Sequence, residues 1–121
     1  EVILDNFKYA GIVNNLDDEK CLSKIGIISG FGLNNPDYIK LAKDEKLDML
    51  ISGDITQETA IIAKELGITL INVGHHESEV PGLYKLAKLL TELNINIEVI
   101  DKNPIEKLKW KNGRWNPKNG R

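Results

Sequence analysis

His75 and His76 are the only two histidines of this chain, and they stand side by side in Leu70-Ile71-Asn72-Val73-Gly74-His75-His76-Glu77-Ser78-Glu79. Carboxylates follow at Glu77 and Glu79. Imidazole and carboxylate gathered at the end of an apolar run suit metal ligation or acid/base chemistry, because one ring nitrogen can face a cation or proton while a neighbour fixes the other. A hydrogen-bonding structural role is the alternative for His75. His76 fits better as a structural neighbour, turned away if the backbone stays extended past Gly74. Glu79 is the better carboxylate partner, facing His75 across the bend that starts a helix, whereas Glu77 is expected to be exposed or to act from outside the site. The bland role for Glu79 is favourable charge near a helix N-terminus. Two ligands fall short of the about four of a closed zinc site or the about three of a catalytic one, so the pair is half of a site.

Other groups carry weaker signals. Asp54, after Ser52-Gly53, could bind a cation, orient an imidazole, hold substrate or satisfy helix donors. Asp17 and Asp18 lie in a segment with no regular pattern. The glycines of Gly30-Phe31-Gly32 invite a phosphate-binding reading, but the segment lacks both the dinucleotide fingerprint and the lysine-bearing phosphate loop, and a compact turn fits better. Cys21 is the single cysteine, so no intrachain disulfide exists, and a partly buried free thiol is expected.

The elements that must position these groups alternate. Ile25 to Ser29 and Leu47 to Ile51 are expected as strands. Asn34 or Asn35 caps a helix with Pro36 in its first turn. Thr56 caps a helix from Gln57 to Leu66 that ends at Gly67, and Thr59 at the third position leaves a full capping box absent. Ile68 to Val73 forms the strand that delivers the histidines. Ser78 caps a helix beginning at Glu79, with Pro81 in its first turn and with Leu83, Leu86, Ala87, Leu90 and Leu93 along one side. Ile95 to Ile100 is expected as a further strand, and Val2-Ile3-Leu4 as a short one. This alternation predicts an α/β fold, a mostly parallel sheet with helices on both faces. Parallel sheets place ligands beyond the C-terminal ends of their strands, where Gly30 to Gly32, Gly53-Asp54 and Gly74 to Glu79 converge.

At 121 residues, 41% hydrophobic and 28% charged, the chain is an ordinary globular domain, with 1–104 as the α/β unit and 105–121 as a basic, turn-rich tail. The longest apolar stretches are too short to span a bilayer and no leader pattern opens the chain, so a cytoplasmic protein without membrane contact is expected. The net charge of −2 hides an asymmetry: residues 101–121 carry seven basic against two acidic groups, and residues 1–100 nine against sixteen. Trp110 and Trp115 among Lys107, Lys109, Lys111 and Arg114 suit nucleic-acid contact, or alternatively anchoring of the tail to its own domain or another subunit.

Three motifs taken together, Lys24-Ile25-Gly26-Ile27-Ile28-Ser29-Gly30, Asp48-Met49-Leu50-Ile51-Ser52-Gly53-Asp54-Ile55 and Gly74-His75-His76-Glu77-Ser78-Glu79, resemble the NGG-one-interacting-factor-like family. Its members are also described as dinuclear metal-centre or GTP cyclohydrolase type two-like proteins. The resemblance implies that His75 and Glu79 are the C-terminal ligand pair of a two-metal centre, that Asp54 organises the site, and that Asp17 in Asn15-Leu16-Asp17 is a further metal ligand. It also implies a divalent metal (Zn, Fe, Mn, Co or Ni), a nucleotide or other small-molecule substrate, and ring-like homo-oligomers. If the protein is a hydrolase, Glu79 is the candidate catalytic group for proton transfer when it does not ligate. The chain departs from the family pattern at Val13, which replaces a nearby histidine, at Gln57 and Glu58, where histidine is common after the Gly-Asp motif, and in lacking the N-terminal paired-histidine segment. A complete two-metal centre cannot be assembled from the remaining motifs. A short natural relative and an excerpt of a longer protein are both consistent with this, and a non-enzymatic assembly or regulatory domain is the alternative function.

Overall fold

The computed structural model describes residues 2–7, 10–16, 21–106, 108–111 and 114–117. Asp17 and Asp18, and with them the expected third ligand, lie outside the described residues, as do the side chains of Trp110, Trp115 and the basic residues around them.

Three parallel strands make the centre of the molecule: β2 (Ile25–Ile27), β3 (Met49–Ser52) and β4 (Thr69–Asn72), joined by helices α2 (Pro36–Asp44) and α3 (Gln57–Leu66). An antiparallel strand β1 (Gly11–Val13) adds to the far side of β4, giving the order β1-β4-β3-β2. Successive strand residues face opposite sides. Leu50 and Leu70 therefore pack with Leu33, Ile39, Ala42, Ala63 and Ile68 under α2 and α3. Met49, Ile71 and Val73 face the other way and receive Ile3 and Phe7 from α1 (Val2–Asn6) and its end, with Ala10 and Leu16. Helices thus lie on both faces, as expected of the fold, but the second face is covered by α1 and not by a helix of the strand-helix alternation.

Local chemistry sets the helix ends. The Asn35 side chain accepts from the Asp37 amide at 2.9 Å ahead of Pro36. Thr56 and Thr59 each donate their backbone N–H to the other's hydroxyl oxygen at 3.1 Å, so the box expected to be absent is present, with a threonine hydroxyl doing what Glu or Gln usually does. Buried Thr59 also donates to Leu33 O at 2.6 Å, tying α3 to the loop after β2. Gly67 closes α3 at φ 70.

Several expectations fail. Val2-Ile3-Leu4 belongs to a helix, because a short apolar run carries no periodicity to separate helix from strand. The helix expected from Glu79 begins four residues earlier: α4 spans His75–Leu90, with Gly74 at φ 99 as its N-cap. Ser78 is therefore inside the helix and does not cap it, and Pro81 sits beyond the first turn. The leucine side of α4 is not a core face; Leu83, Leu86, Leu90 and Leu93 are 47%, 52%, 36% and 63% exposed, and Val80 is the buried residue of this helix. After the 3₁₀ turn Thr91–Leu93, residues 95–100 form no strand despite their β-branched content; Ile95 and Ile100 stay exposed, since no sheet edge takes up their backbone. In the tail, β5 (Leu108–Lys111) pairs antiparallel with β6 (Arg114–Pro117), so part of the turn-rich segment is a hairpin. Cys21 is exposed, where partial burial was expected. Among the described residues no helix is long and apolar enough to cross a membrane.

Candidate functional site

The registers Ile27↔Ile51 and Ser52↔Asn72 bring the C-terminal ends of β2, β3 and β4 level, and each strand runs into a glycine-bearing turn. These turns touch through their backbones. A Cβ on Gly53 would stand 2.5 Å from both Gly30 O and His75 N, so only glycine lets the three loops meet. Asp54, next in sequence, takes a left-handed φ of 61, a costly conformation for a non-glycine residue, and its carboxylate reaches the imidazole delivered by the neighbouring strand.

His75 Nδ1 lies 2.6 Å from Asp54 Oδ2, and its Nε2 lies 3.1 Å from Glu79 Oε1. The Glu79 contact is an i,i+4 pair within one turn of α4, so the expected partnership is found but arises inside a helix, not across a bend. The Asp54 contact joins residues 21 apart in sequence. The hydrogen bond with Asp54 raises the His75 pKa above its ordinary 6.5; desolvation opposes the rise, and the charges of Asp54 and Glu79 reinforce it. The His75 side chain is 44% exposed, so the pair stands at the surface and not in the core.

His76 turns elsewhere. Its Nε2 is 2.8 Å from Asp101 Oδ1, while Glu77 accepts from Asn103 Nδ2 at 3.3 Å, so both residues fasten the stretch after α4 back onto its first turn. His76 turns away from His75 as expected, but from within the first turn of α4 and not from an extended backbone. No pattern in the sequence marks Asp101 as the partner of His76 or Asn103 as that of Glu77. Gly30 is also hidden in the sequence, where it reads as part of a turn. A Cβ built on it would lie 2.7 Å from Glu79 Oε1 and 3.1 Å from His75 Nε2. The turn's amides are engaged internally: Gly30 N–H donates to Ser78 Oγ at 2.7 Å, Gly32 N–H to Ser52 Oγ at 2.8 Å and Leu33 N–H to Gly53 O at 3.1 Å. That agrees with the compact turn and leaves these three donors unavailable to a phosphate. The atoms able to converge on a cation are His75 Nε2 and Glu79 Oε1; among the described residues no group of three or more His, Cys, Asp or Glu is placed to hold one.

Known proteins share this arrangement of elements. The chain is 34% identical over 80 residues to a GTP cyclohydrolase 1 type 2 homolog of Methanothermobacter thermautotrophicus, covering 66% of this chain and 34% of the relative. A homolog of the same name from Clostridium perfringens is 33% identical over 96 residues, 78% of this chain and 34% of the other. Among solved structures, reduced HcgD from Methanocaldococcus jannaschii superposes with a TM-score of 0.66 at 29% identity, over 75% of this chain and 36% of that one. A Bacillus cereus protein related to NIF3 does so with a TM-score of 0.56 at 25% identity, over 76% and 25%. The chain spans about a third of the length of the curated relatives it matches. With residues 2–104 matching its pattern, the chain belongs to the Duf34/NIF3 (NGG1p interacting factor 3) family.

Proposed function

We propose that this chain supplies half of a divalent-metal centre, with His75 and Glu79 as ligands, in a metal-dependent hydrolase acting on a nucleotide. The observation that carries the proposal is the fixed imidazole of His75, its Nδ1 held by Asp54 at 2.6 Å and its Nε2 turned to Glu79 Oε1 at 3.1 Å. A carboxylate on the far ring nitrogen selects the tautomer whose Nε2 is free to ligate and raises its basicity. The space beside both donor atoms fits an ion, because at Gly30 a Cβ would intrude between them. An imidazole and a carboxylate suit Zn, Fe, Mn, Co or Ni. Asp54 is committed to the ring and serves orientation; Asp17 is the proposed third ligand.

When bound, a divalent cation polarises a substrate oxygen and lowers the pKa of water. The chain's own part is positioning and proton handling. Asp54 keeps Nε2 pointed outward, the proton between Nε2 and Glu79 must leave before Nε2 can ligate, and Glu79 can accept a proton at Oε1 when it is not engaged as a ligand. The names of the relatives, GTP cyclohydrolase 1 type 2 homolog, support a nucleotide substrate. Cytoplasmic residence and self-association belong to the same proposal.

A non-enzymatic assembly or regulatory domain is the second reading, favoured by the two-donor set among the described residues. Equilibrium dialysis against Zn, Mn, Fe, Co and Ni, followed by metal analysis, separates the two. Stoichiometric uptake that is lost in His75→Ala and Glu79→Gln is expected; a chain that takes up none of the five metals would favour assembly.

A further inference from the structure

We infer, building on the cation site proposed above, that Ser78 is a positioning residue that sets the spacing between the Gly30 turn and the His75–Glu79 pair. Its hydroxyl accepts from Gly30 N–H at 2.7 Å and donates to His75 O at 2.8 Å. The direction is forced: an amide can only donate, so the hydroxyl's single proton goes to the carbonyl. One side chain of α4 therefore binds the loop after β2 to the backbone of the ligand itself. Ser52 repeats the device two residues along, accepting from Gly32 N–H at 2.8 Å and donating to Ile28 O at 2.5 Å. The turn is thus held at Gly32 by the sheet and at Gly30 by α4.

The two serines have different consequences. Ser52 is fully buried in the sheet, and removing its hydroxyl strikes the fold. Ser78 is partly buried at the site, and removing its hydroxyl unfastens Gly30 from α4 while Ser52 still anchors the turn. Gly30 lies against Glu79 Oε1 and His75 Nε2, so its release changes the space in which those two atoms converge. Partners outside the first ligand shell commonly govern metal affinity by about 10- to 100-fold.

The test is Co²⁺ titration of the full chain, read by visible absorption and calorimetry, with melting followed in parallel. Ser78→Ala is expected to bind Co²⁺ on the order of tenfold more weakly, with an altered absorption envelope, while melting cooperatively. Ser78→Thr, which keeps the hydroxyl, restores both affinity and spectrum. Unchanged affinity and spectrum in Ser78→Ala, an equal loss in Ser78→Thr, or loss of the cooperative melt in Ser78→Ala would overturn the positioning role. His75→Ala in the same titration separates the two claims: if it binds Co²⁺ as the parent does, the cation site itself is wrong, whereas its loss of binding beside an unaffected Ser78→Ala overturns the Ser78 role alone.

Discussion

At the scale of single residues, the His75 ring holds a proton more firmly than a free imidazole because two carboxylates face its two nitrogens. Asp54 is the stronger influence, at 2.6 Å from Nδ1. The sign of the pH dependence follows. A folded pKa above the ordinary 6.5 stabilises the metal-free protein fully below that value, and the contribution is lost as pH rises through the folded pKa. At the proposed cation site affinity would run the other way, since ligation requires the Nε2 proton to leave. In an NMR titration of the metal-free chain, the His75 Cε1–H resonance should titrate above 6.5 and shift to lower pH in Asp54→Asn. An unchanged midpoint in that variant would remove Asp54 as the cause. His75 and Glu79 are legible in the sequence because their types and four-residue spacing hold whether the helix begins at one or the other. The part played by Asp54 is not, since its meeting with His75 depends on two parallel strands ending level.

At the scale of elements, helix ends and turns do most of the placing. Thr59 links three features: it closes the capping box with Thr56, it is fully buried, and it donates to Leu33 O at 2.6 Å. Thr59→Ala leaves the Leu33 carbonyl and the Thr56 amide without these partners and should cost about 1–3 kcal/mol in urea unfolding, with Thr59→Ser recovering most of it. Equal losses in the two variants would assign the effect to packing of the methyl group. The alternation β2-α2-β3-α3-β4 is legible because each element carries its own pattern and its own cap: Asn35-Pro36, Thr56 and Gly67 act within a few residues of themselves. The elements that mislead are those whose state depends on a distant partner. β1 is three residues long and exists by pairing with Leu70–Asn72, and Ile95 to Ile100 has strand composition yet pairs with neither edge of the sheet. The start of α4 depends on Gly74 adopting φ 99, which moves the helix onset ahead of the serine that looks like its cap.

At the scale of the whole molecule, an imbalance stands out. The face of the sheet under α2 and α3 is closed, whereas the leucine side of α4 is open and Ile25 and Ile27 of edge strand β2 are 46% and 72% exposed. Exposed apolar side chains grouped along one side of a helix, as on α4, are a surface on which the self-association proposed above can be tested. Leu86→Lys, on the open side of α4, should leave the melting temperature nearly unchanged, because surface substitutions usually stay within about 0.5 kcal/mol. The same substitution should lower the mass measured by light scattering at a fixed concentration. A drop in stability with no change in mass would instead make Leu86 a core residue. The linear order of residues was enough for part of the local structure: the caps Asn35, Thr56 and Gly67, the order of the central strands and helices, the family, and the partnership of His75 with Glu79, though not the helical turn that joins them. What Asp54 and Gly30 do at the site, where His76 points and which leucines stay uncovered emerge only in three dimensions. Caps and i,i+4 pairs form between groups a few residues apart, whereas these other contacts exist only once separate strands are brought level in one sheet.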